Sequence, residues 1–222
     1  DGCPIFPPNN IWNVAVDTLP VHANSANFVS SIGVNTTLHM DFGSGLYQGR
    51  PIGIPFITVP ASQPKVPITF TVDDESDPGP YPIPPNIPIE GGAAFPNGDR
   101  HGLVIERGTC KLYEVGVLNQ QPAYPAAPTG WNGYSGAVWD LNSHALRPET
   151  WTSADAAGLP IFAGLARYDE VARAVATDGT LGHALRFTLS QALTAMKAVG
   201  IASHWADDID GPAPFGMHVR LR

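Results

Sequence analysis

Prolines limit what this chain can become more than any other residue does. There are 23 in 222 residues. Pro4, Pro7, Pro8 and Pro20 keep residues 1–20 extended, because each fixes φ and removes a backbone donor. Pro55 and Pro67 confine the β-branched stretches 52–60 and 66–72 to edge or bulged strands. Residues 78–88 are dense enough in proline to read as polyproline II. With 23 glycines as well, the pattern excludes a helix bundle and suits short strands joined by structured loops.

Within that frame the clearest element is a hairpin at 98–118. Residues 103–106 and 111–118 alternate Val, Ile, Leu and Tyr at period two, about a turn at Arg107, Gly108 and Thr109. Its first strand is entered through Asp99, Arg100 and His101, groups suited to acid–base, anion-binding or metal chemistry. A regular pleat puts Asp99 and His101 on the face of Leu103 and Ile105, so the polar pair would cap the end of a buried stripe.

Charged residues are 14% of the chain and apolar ones 43%, a balance too hydrophobic for disorder. The net charge of −8 argues against nucleic acid and anionic membrane as partners. No apolar run approaches the roughly 20 residues of a membrane span. The two cysteines, Cys3 and Cys110, predict a disulfide that pins the N-terminus to the hairpin, with two buried thiols as the alternative. A start at Asp1, as in a mature product freed of its signal peptide, and a glycosylation sequon at Asn35 complete an expectation of secretion.

Elsewhere the pattern predicts a helix at 25–32 with Asn24 as cap and Gly33 at its end, and a strand at 36–41. Strands at 136–140 and 145–147 would flank Asn142 and Ser143. A helix at 153–157, capped by Ser153, would be followed by a helical turn at 167–175. Strands at 184–189 and 217–221, with a short helix or irregular strand at 191–199, close the chain. The expected fold is mainly β, one domain over 1–222 forming a sandwich or barrel with two or three short peripheral helices.

The segments PIFPPNNIWN (4–13), LHMDFG (38–43), GDRH (98–101), TSADAAGLPI (152–161) and HALRFT (183–188) resemble those of a family of secreted microbial proteins of unsettled function. The resemblance covers most of the chain and implies secretion and one contiguous domain.

Three constellations could carry chemistry. Asp41 and Asp99, if brought close, form an acid and base or nucleophile pair for glycoside cleavage, with His39 and His101 tuning them. The same residues, with His183 and with His204 beside Asp207 and Asp208, are candidate ligands for Zn, Cu or non-haem iron. A divalent metal is therefore the one cofactor expectation. Trp131 and Tyr134, set between glycines, are the aromatics expected to be exposed and to stack on sugar rings, while Trp139 and Trp151 read as core. Arg167 and Tyr168 sit in a polar cluster suggestive of substrate binding, though such clusters are more often solvated ion pairs. There is no G-x-S-x-G elbow, P-loop or dinucleotide fingerprint. The reading is a secreted enzyme that cleaves a polysaccharide by two carboxylates; the alternatives are a glycan-binding or structural module, or a metal-dependent lyase or oxidoreductase.

Overall fold

The computed structural model describes residues 2–39, 42–43, 45–120, 130–177, 179–205 and 211–219, with the backbone alone at Gln191. The fold is mainly β. In chain order it runs α1 (Ser25–Ile32), β1 (Leu46–Tyr47), β2 (Arg50–Pro51), β3 (Phe56–Val59), β4 (Ile68–Phe70), β5 (Gly102–Glu106) and β6 (Lys111–Gly116). There follow β7 (Asn119–Gln120), β8 (Trp131–Gly133), β9 (Ser135–Asp140), α2 (Tyr168–Thr177), β10 (Thr194–Ala198) and β11 (Ala213–Phe215).

The central sheet has the order β3-β5-β6-β9, with β3 parallel to β5 and the remaining pairs antiparallel. The hairpin read from the sequence forms its middle, and the residues of β5 are all buried. On one face Leu103, Ile105, Leu112, Ala137 and Trp139 pack beneath Phe6 and Trp12 of the N-terminal segment and Ile161 to Ala163. On the other, Val59, Val104, Tyr113 and Val115 pack against Ile68, Tyr81, Ile83, Ile87 and Trp131. A large aliphatic side chain buried this way contributes about 1.5–3 kcal/mol. The proline-rich run thus covers a core.

A second sheet, β4-β8-β7, lies over that face. The two sheets share one bent ribbon: β6 passes into β7 and β8 into β9 through Val117 and Tyr134. The Tyr134 N–H donates to the Gly116 carbonyl at 2.7 Å across the bend, and Val117 takes a φ of 54°. Strands that turn a corner and change sheet make a sandwich of this kind. Glycine is required at the crossing: a Cβ on Gly133 would stand 2.5 Å from the Val115 side chain. As Pro55 and Pro67 demand, β3 and β4 are edge strands.

Cys3 and Cys110 form the expected disulfide, with 5.4 Å between their Cα atoms. Helix α1 matches 25–32 and ends at Gly33, whose N–H returns to the Val29 carbonyl; the Asn24 side chain makes no cap bond. Several expected elements are absent among the described residues. Residues 36–39 and 145–147 are not strands, and Arg147 is instead buried against Asp77 and the Thr152 carbonyl. Residues 153–157 are turns, because the Ser153 hydroxyl donates to the Leu159 carbonyl and accepts the Asp155 N–H instead of starting a helix. Residues 184–189 form no strand and are held by single bonds, Ala184 N–H to the Trp12 carbonyl and Arg186 N–H to the Gly164 carbonyl. The last described strand is Ala213–Phe215; of the expected strand, 217–219 are not in a ladder and 220–221 lie outside the described residues.

Candidate functional site

The entry to β5 opens onto a cleft of about 1350 Å³, lined among others by Trp12, Asp99, His101, Tyr134, Asp155 and Arg186. It is where four of the sequence segments singled out above converge: 4–13, 98–101, 152–161 and 183–188 each contribute to its walls.

Its chemistry is concentrated at His101. The proline-rich run ends at Glu90, whose N–H donates to the His101 carbonyl at 3.0 Å, and this pairing fixes the two segments side by side. The His101 N–H returns a bond to Glu90 Oε2 at 3.3 Å, and Nδ1 of its ring lies 2.5 Å from the same oxygen. Nε2 lies 3.0 Å from the Ala154 carbonyl, which can only accept, so Nε2 carries a proton. Burial alone would push His101 down, but the Glu90 hydrogen bond and charge outweigh it and the imidazole is held above its ordinary 6.5. Burial likewise works to raise Glu90, and the bonds and charge of His101 win, holding it below its ordinary value. The shared proton thus favours the ring and leaves the negative charge on Glu90. Asp99 is exposed beside them, and single ligand atoms of Glu90, Asp99 and His101 all lie within 4.8 Å of one another.

Around this cluster, Arg186 pairs with Asp155, whose second oxygen accepts the Ala157 N–H at 2.8 Å. The Arg186 charge also reaches Glu90 and Glu114. Glu114 sits on β6 opposite Leu103, fully buried. Its oxygens accept the Ile161 N–H at 3.0 Å, the Phe162 N–H at 2.8 Å and the Trp139 indole N–H at 3.1 Å. Burial pushes it up to about 7, against the pull of those donors.

The expected site residues divide sharply. Asp99 and His101 come together at the cleft, and Tyr134 is exposed on its rim, 53% accessible. Asp41, Asp207 and Asp208 lie outside the described residues. His39 is exposed and does not line the cleft. Trp131 is not exposed but core: it pairs with Ile68 in register, and Gly133 after it marks close packing, not an open loop. Arg100 faces away from the cluster and donates to the carbonyls of Leu118 and Phe95, so it is a turn anchor. Arg167 is buried, donating to the Phe162 carbonyl and pairing with Glu170 at 2.5 Å, while Tyr168 points to solvent. His183 lines the cleft, but its ring is held by Glu170 at 3.2 Å and the Ala184 carbonyl at 2.8 Å. His204 is held by the Ala156 carbonyl.

Glu90 and Glu114 were missed by the sequence reading. Glu90 had one signal, an acid closing an apolar, proline-rich run beside Gly91. Glu114 had a stronger one, a lone carboxylate in an otherwise apolar strand.

No protein-family model, characterised protein or solved structure matches this chain. Among the described residues, no helix is long and apolar enough to cross a membrane.

Proposed function

We propose that this is a secreted enzyme that cleaves a neutral polysaccharide in the cleft, using Glu90 and Asp99 as its two carboxylates. One observation carries the reading: two carboxylates from separate segments meet with oxygens no more than 4.8 Å apart, and one of them, Asp99, lines an open cleft. That is near the roughly 5–5.5 Å of retaining glycosidases and short of the ~6.5–9.5 Å of inverting ones. Glu90, kept ionised by His101, attacks the anomeric carbon, and Asp99 gives its proton to the departing glycosidic oxygen. In the second half-reaction Asp99 takes a proton from water, whose oxygen displaces Glu90 from the same carbon. His101 is a positioning residue for Glu90. Glu90 replaces Asp41 as partner, and its side chain is 27% exposed beside His101.

The remaining wall suits sugars. Thr180 and Thr188 supply neutral donors and acceptors, and the Tyr134 ring offers a stacking face. A net charge of −8 disfavours polyanionic chains. The disulfide fits an oxidising compartment. Release of oligosaccharides from a panel of neutral polysaccharides, with chelator present, tests the proposal. Product with retained anomeric configuration is expected. Inverted product would remove Glu90 from the nucleophile's role, and no product from folded protein would leave a glycan-binding module.

A further inference from the structure

We infer that Glu90, Asp99 and His101 also form a binding site for a divalent transition ion of the zinc class. The inference deepens the two-carboxylate reading only in its consequence for activity; ion binding stands apart from it. Two independent observations support the site. The first is the donor set: one imidazole nitrogen and two carboxylates, no two chosen atoms more than 4.8 Å apart, with Asp99 and His101 at the wall of an open cleft. Mixed nitrogen and oxygen donors with solvent-facing positions left over suit zinc better than calcium, which prefers oxygen alone.

The second is the orientation of the imidazole. Metal-binding histidines commonly donate the distal ring N–H to a carbonyl or carboxylate, which fixes the tautomer and aims the other nitrogen at the ion. His101 has this arrangement: Nε2–H is committed to the Ala154 carbonyl at 3.0 Å, and Nδ1 points at Glu90. The 2.5 Å between Nδ1 and Glu90 Oε2 holds a proton, which an ion bound at Nδ1 displaces to solvent. Zinc, with bonds of about 2.0–2.2 Å, spreads its ligands to roughly 3.4 Å in a tetrahedron. Glu90 would have to withdraw by about an ångström and Asp99, exposed, to swing inward. Both movements are of carboxylates at a surface, and the backbone pairing of Glu90 with His101 need not change.

The ion and the proposed hydrolysis compete for the same groups. Zinc bound by Glu90 and Asp99 removes the nucleophile and the proton donor together, so it inhibits.

The experiment is calorimetric titration of the disulfide-intact chain with zinc chloride in a non-chelating buffer, repeated with calcium chloride. One zinc equivalent is expected at this cluster, with calcium weaker. Asp99→Asn, Glu90→Gln and His101→Gln should each weaken zinc at least about tenfold, and His183→Gln, at the separate Glu170 cluster, should not. Asp99 is exposed, so its variant reports binding even if the His101 variant does not fold. Absence of zinc binding, or binding indifferent to Asp99→Asn, overturns the site and leaves the hydrolase reading intact. Binding with loss of polysaccharide cleavage supports both. Binding that activates cleavage upholds the site and overturns metal-free hydrolysis.

Discussion

Glu114 lies in the middle of the central sheet with no surface exposed and three N–H donors on its two oxygens. Glu90 stands behind the cleft-lining His101 with 27% of its side chain exposed and the His101 ring and N–H on one oxygen. Glu114 is on the hairpin's second strand and Glu90 pairs with the residue entering its first, and both are coupled to the 152–164 segment, Glu114 directly and Glu90 through His101 and the Ala154 carbonyl. Burial acts to raise both, yet Glu114 ends up near 7 and Glu90 below its ordinary value, because Glu114 is fully buried while Glu90 is part-exposed and hydrogen-bonded directly to the His101 ring. A saturated, sealed carboxylate organises backbone. One that keeps an oxygen and an open side can meet a substrate.

That contrast can be broken most severely at Glu114. Glu114→Ala leaves three buried donors unpaired beside a cavity. It should cost about 3–5 kcal/mol, read as a lowered denaturant midpoint; a loss below about 1 kcal/mol would mean the socket is not structural.

Acidity separates the two sites next. Glu114 is raised from 4.5 to about 7, so the folded state binds its proton more tightly, and stability falls as pH rises from 4.5 through 7. The effect is on the order of 3 kcal/mol. His101, raised, also contributes stability below 6.5 that is lost above its folded value, whereas Glu90, lowered, contributes above 4.5 and loses it on acidification. The melting temperature should therefore be higher near pH 5.5 than at pH 8, and Glu114→Gln should flatten most of that slope. A wild-type slope of opposite sign would contradict the assignment. The smallest effect belongs to the rim: Tyr134→Ala should leave stability within about 0.5 kcal/mol while weakening saccharide binding, measured by affinity electrophoresis.

How far the sequence was legible follows from where each signal was stored. The 98–118 hairpin, the Cys3–Cys110 bridge and α1 are local or pairwise patterns, and each appears in the structure. Trp131 was misread because glycine neighbours look alike in an exposed loop and in a tight sheet crossing; only the proximity of Val115 and Phe70 to Gly133 tells them apart. Ser153 carried a helix-cap pattern, but its hydroxyl closes a turn on Leu159, a choice made by tertiary packing. Asp99 and His101 were legible as a polar pair at a strand mouth. Their partner Glu90 lies eleven residues before His101, across a turn whose geometry Arg100 sets by binding Leu118 and Phe95, and no periodicity encodes that contact.

The most direct measurement compares Asp99→Asn with wild type for oligosaccharide release and for melting temperature in the same preparation. The account predicts release reduced at least about a hundredfold with the melting temperature unchanged, because Asp99 is exposed and its work is chemical. Undiminished release from the variant would contradict it, and would move the reaction away from the His101 cluster.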